Sequence, residues 1–246
     1  MRHPNRQPTR RRGRRKQLGL VFRPWGGKRK GAGRKPKGDK AGVSHAARPP
    51  LPSGRPVHVT SKLCDDMPPL RRRKVWQKLR EVFWALCDRA GFRIVHFSLQ
   101  RNHIHLIVEA QGRLALSRGL QAFKIRFANA INALLGRAKG AVFADRYHAR
   151  QLKTPTQTRN CLAYVLLNGR RHGEDRGVPR PERWVDPYSS ARYFEGWREY
   201  VDPPDDDPPL VREAGSWMLG EGWRRGRGGL ISILEFPGPR PRSPAR

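Results

Sequence analysis

Apolar residues recur along the chain with two periods. PVHVTSKL (56–63) is short and partly β-branched and predicts a strand. After DDMPPL, the positions Val75, Leu79, Val82, Phe83 and Leu86 recur mostly at spacings of three and four, which predicts a helix over about 69–90 that Gly91 stops. FRIVHFSL (92–99) and HIHLIVEA (103–110) are separated only by residues 100–102 and predict an antiparallel hairpin. The stripe Leu116, Leu120, Phe123, Phe127, Ile131 and Leu134 predicts a second helix over about 115–135. A last strand is expected near 147–153, then a helix from Thr156 or Thr158, either a plausible N-cap, to about 172.

The order β-α-β-β-α-β-α predicts an α+β fold: a ferredoxin-like βαββαβ sandwich, with helices on one face of an antiparallel sheet and an extra helix at the end. Around this core the expected organisation is a basic, disordered arm and Pro-rich linker (1–55), a folded domain (56–175), an aromatic-rich extension packing on it (176–201) and a flexible tail (202–246). The extension carries Trp184, Tyr188, Tyr193, Phe194, Trp197 and Tyr200, and large aromatics usually serve to bury area.

Charge narrows the partner. Lys and Arg number 52 against 20 acids, a net +32. Residues 1–40 alone hold 16 basic residues and the single acid Asp39, or +15. Such self-repulsion adds nothing to stability, and a nucleic-acid backbone is the polyanion that most commonly neutralises it. No run of about 18 apolar residues predicts a membrane span, and no apolar segment follows the basic start as in a secretory signal. Cys64, Cys87 and Cys161 form no C-x-x-C pair, which argues against thiolate zinc and a disulfide framework. A reducing, cytoplasmic, nucleoid-associated setting is expected.

Two pairs of residues carry candidate chemistry. His103 and His105, at i and i+2 on a strand, project from one face, with Ile104 directed into the core. Two imidazoles so placed can hold a divalent cation, although polar residues alternate on any half-exposed strand. Tyr164 and Asn168, at i and i+4 on the last helix, share a face, as they would on any amphipathic helix.

In combination these segments resemble a known family. RNHIHLIVEA (101–110), SRGLQAFKIRFANAINALLG (117–136), VFADRYHARQL (142–152), LAYVLLNGRRHG (162–173) and DPYSSARYFEGW (186–197) are together similar to the single-tyrosine HUH transposases, and most similar to the branch of REP-associated tyrosine transposases. The resemblance spans about residues 56–200. It implies that Tyr164 is the nucleophile, that His103 and His105 are metal ligands and that Asn168 completes the metal site. It also implies a 5′-phosphotyrosine intermediate with a free 3′-OH, on single-stranded DNA beside a REP-type hairpin. Many relatives have Asn-Pro where this chain has Asn168-Gly169; both Pro and Gly can stop a helix. Tyr147, in the RYH segment, is the competing tyrosine and has no helical partner for a metal.

The chemistry suits these groups. A tyrosine nucleophile keeps the phosphoester energy in a covalent bond. Its phenol, with a pKa near ~10, is mostly neutral at pH 7 and needs electrostatic help. Mg²⁺ or Mn²⁺ on two imidazoles and an amide oxygen would keep coordination sites open for phosphate and water. Arg71, Arg72, Arg73 and Lys74 on the first helix, Lys124 and Arg126 on the second, Arg146, and Arg34 and Lys35 in the arm are the expected DNA-binding residues. A monomer or a homodimer is expected, with the monomer favoured. Two other readings are a hydrolytic metal-dependent nuclease and a non-catalytic nucleic-acid-binding protein on the same fold, the latter needing exposed aromatics on adjacent strands, for which the second strand offers Phe92 and His96 on one face and Phe97 on the other.

Overall fold

The computed structural model describes residues 49–177, 182–204 and 209–238. The basic arm, with Arg34 and Lys35, lies outside the described residues. The elements run β1 (Val57–Lys62), α1 (Arg73–Leu86), β2 (Asp88–Arg89), β3 (Phe92–Leu99), β4 (His103–Ala110), α2 (Arg113–Leu134), β5 (His148–Gln151), α3 (Pro155–Leu166) and α4 (Asn168–Arg171). The sheet order is β2-β3-β4-β1-β5 with every pair antiparallel. Without the two-residue β2, this is the ferredoxin-like arrangement expected from the sequence.

The strand alternation divides the side chains between two cores. Val57 and Val59 of β1, with Ile104, Leu106 and Val108 of β4, pack beneath the stripes of α1 and α2. On the opposite face, Val95 and Ile107 pack against Leu162, Val165 and Leu166 of α3. The extra helix therefore covers the face that α1 and α2 leave open.

A bulge in β3 alters the expected alternation. The pairing of β3 with β4 slips between Ile94 and His96, so Val95 is the extra residue. Beyond it the facing reverses. Phe97 and Leu99 join Phe92 and Ile94 in the first core, while Val95 and His96 lie on the α3 side. Phe92 and Phe97 were expected on opposite faces; both are buried beneath the helices, and β3 offers no aromatic platform for bases.

The helix limits shift for local reasons. Thr154, not Thr156 or Thr158, caps α3: its hydroxyl accepts from the Gln157 N–H at 3.2 Å, and Pro155 occupies the first turn, where its missing N–H costs nothing. The last helix does not run unbroken to 172; it breaks at Leu167 and resumes as α4.

The segment expected to be a flexible tail departs most from the sequence reading. Residues 209–238 pack on the domain and include a further short helix, α5 (Trp217–Gly220). Trp223, Ile231 and Ile233 are buried in the second core together with Phe194 and Trp197. Polar ties lock the segment down. Glu109 of β4 accepts from the backbone N–H groups of Gly215 and Ser216, and Arg159 of α3 forks onto Glu235 while donating to the carbonyls of Gly229 and Leu230. Gly and Pro made the segment look loose, yet Leu219, Trp223, Ile231 and Ile233 pack into the second core and Leu210 and Val211 into the first. Of the aromatic extension, Tyr188, Tyr193, Phe194 and Trp197 pack inward as expected, and Tyr200 is exposed.

Arg71 is the internal tie of the fold. It was expected on the DNA-binding surface, but its guanidinium forks onto Asp186 at 2.8 and 2.9 Å, donates to the Leu99 carbonyl at 3.0 Å and lies 4.6 Å over the Tyr188 ring. Glu174 approaches Nε at 3.3 Å. Burial pushes the Asp186 carboxyl above its ordinary range, against the pull of Arg71. Removing one partner of such a pair leaves a buried charge alone. Asp186→Ala or Arg71→Met should therefore destabilise the protein by about 3–5 kcal/mol in urea unfolding.

His96 is fully enclosed, with Nδ1 3.3 Å from Ser190 Oγ and the Phe194 ring packed edge-on. Burial lowers its pKa from 6.5 to about 3. Between those values the unfolded chain takes up a proton that the folded chain refuses. The stability that depends on neutral His96 is thus fully present above about pH 6.5 and lost as the pH falls towards 3. The expected slope is about 1.4 kcal/mol per pH unit from this group. Unfolding free energies measured from pH 7 to 4 should show His96→Leu with a slope shallower by about one proton than the wild type.

Candidate active site

Register builds the site on the α3 side of the sheet. His103 and His105 occupy alternate positions of β4; Thr60 of β1 pairs with His105, and Lys62 with His103. The same face continues through His58 of β1 to Arg150 and His148 of β5. α3 crosses this face and brings Tyr164 to the imidazoles. The Tyr164 ring stands 5.3 Å from that of His105 and 6.0 Å from that of His58, both edge-on, and the two expected ligands, His103 and His105, are 4.9 Å apart. Tyr164 is half-buried against the second core, and Arg171 places its guanidinium carbon 5.9 Å over the ring.

The imidazoles are neutral at physiological pH. Burial, then the neighbouring His58, His103 and His172, lower the pKa of His105 to about 2. Burial, then His148 and Arg150, lower that of His58 to about 4. His103 is lowered by burial, His172 and Lys62. Neutral rings retain a lone pair for a cation.

Two of the buried polar groups that have no hydrogen-bond partner within the protein belong to expected metal ligands. One is Nε2 of His105; the other is the whole side-chain amide of Asn168, which is 0% exposed. Orphaned groups of this kind are costly unless something outside the chain engages them. An imidazole nitrogen and an amide oxygen are both competent donors to a divalent cation, so the residues present fit such an ion. Among the described residues no three His, Cys, Asp or Glu side chains are grouped to hold a metal.

The remaining sequence candidates are dispersed. Arg72, Arg73 and Lys74 are exposed at the start of α1, beside the β3–β4 turn, where the Leu70 N–H donates to the Arg101 carbonyl. Lys124 is engaged internally, donating to the Asp145 carbonyl and lying over Phe143. Arg126 is exposed on α2, on the layer across the sheet from Tyr164. Arg146 lines a groove of about 940 Å³ along β5 that also receives Arg55, Arg113, Arg150 and Lys153, with no acidic residue in its wall. Tyr147, the competing tyrosine, packs against the first core.

His58, Thr60, Arg150, Arg171 and His172 were not singled out from the sequence. The alternation of His58 and Thr60 with Val57 and Val59 is visible there; that β1 lies beside the H-x-H strand is a matter of register, which is not.

Residues 67–166 match the family described as "Transposase IS200 like". No curated protein matches in sequence. Among solved structures, the chain is similar to the REP-associated tyrosine transposase bound to a REP hairpin (17% identity, TM-score 0.48, 82% of this chain and 100% of that chain). It is also similar to a putative transposase from Deinococcus radiodurans R1 (13% identity, TM-score 0.35, 47% of this chain and 89% of that chain).

Gly169, expected as a helix stop, sits inside α4 and serves another purpose. A Cβ there would lie 2.3 Å from Asp186 Oδ2 and 3.0 Å from the Trp184 ring. Only a bare backbone lets the Arg71–Asp186 pair close against α4, one turn beyond Tyr164. Gly169→Ala should cost about 1–3 kcal/mol through overpacking, read as a lowered urea midpoint at unchanged m-value.

Proposed function

We propose that the protein nicks and rejoins single-stranded DNA beside REP-type hairpins, with Tyr164 as the nucleophile. The observation that carries this reading is the Tyr164 phenol set against the neutral His103–His105 pair on one face of the sheet. The phenolic oxygen attacks the scissile phosphorus in line, forming the O–P bond as the bond to the 3′-oxygen breaks. The phenol gives up its proton and the departing 3′-oxygen gains one, leaving a 5′-phosphotyrosine and a free 3′-OH. Attack by a 3′-OH reverses the sequence and restores a phosphodiester. A divalent cation, Mg²⁺ or Mn²⁺, held by His103, His105 and the Asn168 amide oxygen would supply Lewis-acid stabilisation of the phosphate charge.

The surroundings support a single strand as substrate. The β5 groove collects five cations on the edge of the sheet that also presents Arg150 and His148 towards His58, so a phosphate backbone following it reaches the imidazoles. Arg72, Arg73 and Lys74 put positive charge at the first turn of α1, where no acid balances the helix dipole and an anionic partner would. Both halves of the chemistry, the tyrosine and the imidazoles, come from one chain, which favours action as a monomer.

The test is incubation with end-labelled single-stranded hairpin oligonucleotides and Mn²⁺, followed by a denaturing gel. The wild type should give a covalent protein–DNA band, with mass spectrometry placing the phosphopeptide at Tyr164; Tyr164→Phe should lower the band by at least about a thousandfold. A Tyr164→Phe adduct of wild-type yield would refute the assignment of the nucleophile. Cleavage without any adduct would indicate a hydrolytic nuclease, and retention of the hairpin without cleavage a binding protein.

A further inference from the structure

β1 contributes more than register to the imidazole site. His58 Nε2 lies 3.1 Å from His105 Nδ1, and Thr60 Oγ1 lies 3.2 Å from the same atom. The rings of His58 and His105 stack, with centroids 5.2 Å apart and planes 21° from parallel. The other nitrogen of His105, Nε2, is buried and has no partner within the protein.

These contacts allow two proton arrangements. In one, His105 carries its proton on Nδ1 and donates it to His58 Nε2 or to the Thr60 hydroxyl oxygen, leaving a lone pair on Nε2. In the other, His58 Nε2–H or the Thr60 hydroxyl donates to His105 Nδ1, so the His105 proton sits on Nε2, buried with no acceptor. A buried donor left without an acceptor is costly, whereas a buried lone pair is what a cation requires. His58 is not itself a ligand in this arrangement: its Nε2 is engaged with His105, and no three His, Cys, Asp or Glu side chains among the described residues are grouped to hold a metal.

We infer that His58 and Thr60 are positioning residues that hold His105 as its Nδ1–H tautomer and so present Nε2 as the metal-ligating atom. The inference rests on the reading of His105 as a metal ligand, and its test separates the two. Long-range ¹H–¹⁵N correlation spectra of the metal-free full chain, with histidine nitrogens labelled, report the tautomer directly. His105 should appear as Nδ1–H in the wild type and lose that preference in His58→Ala/Thr60→Val. A wild-type His105 protonated on Nε2 would overturn the inference whatever the metal does.

Mn²⁺ titration followed by electron paramagnetic resonance, without DNA, supplies the second readout. His58→Ala/Thr60→Val should bind Mn²⁺ about 10–100-fold more weakly than the wild type at an unchanged melting temperature. His58→Gln, whose amide oxygen can accept the Nδ1 proton, should stay within about threefold. Should the double variant not fold, His58→Ala against His58→Gln carries the comparison. Equal affinity in the wild type and the alanine variant, or no recovery with glutamine, would refute the positioning role. A wild type that shows the Nδ1–H tautomer yet binds no Mn²⁺ would refute the metal reading and, with it, the purpose assigned to the tautomer.

Discussion

The fold closes around one buried ion pair. Arg71 and Asp186 meet in a two-pronged contact with little exposure on either side, and Arg71 also donates to the Leu99 carbonyl, so three parts of the chain are joined. Arg71 stands at the entry to α1 and reaches the end of β3 through the Leu99 carbonyl. Asp186 lies in the loop after α4, pressed against the bare backbone of Gly169. A buried charge pair of this kind is a weak source of net stability compared with well-packed apolar groups, but it tolerates little misplacement. Its value here is geometric: it sets where the chain leaves the helix that bears Tyr164.

The second determinant is the use of both faces of one sheet. α1 and α2 bury the first face in an apolar core. The second face is mixed: Val95 and Ile107 anchor α3 at one end, and imidazoles occupy the other. The bulge at Val95 makes this division possible. By adding one residue to β3 it directs Phe97 and Leu99 into the first core and leaves His96 beneath the extension. The strand thus serves two layers with different chemistry without breaking its pairing to β4.

Much of this was legible in the sequence, for reasons that can be named. Period-two and period-four patterns are local, so β1, β3, β4, α1 and α2 could be read from short windows. The H-x-H spacing and the Tyr164–Asn168 interval are local too, and β4 meets the helix of Tyr164, although a break at Leu167 puts Asn168 on α4 and not on the same helix. What could not be read depends on contacts between distant segments. Arg71 sits in a run of four cations and resembles its exposed neighbours Arg72, Arg73 and Lys74; only the position of Asp186, 115 residues later, distinguishes it. His58 gains its role from register alone. Residues 209–238 are dominated by Gly, Arg and Pro, and their few large apolar side chains find a core that only the folded domain presents.

That last segment has a consequence for the order of events on the ribosome. Arg159, in the helix that bears Tyr164, is gripped by Glu235, 76 residues downstream, and Trp223 fills the space beneath the same helix. The tyrosine therefore emerges well before the groups that brace it. While the chain is still being made, most of the first core can assemble from material already translated, but the layer that bears Tyr164 stays unclamped until residues 219–235 follow. The layer that bears Tyr164 is in this way completed by residues translated after it, and its final packing follows the synthesis of α3.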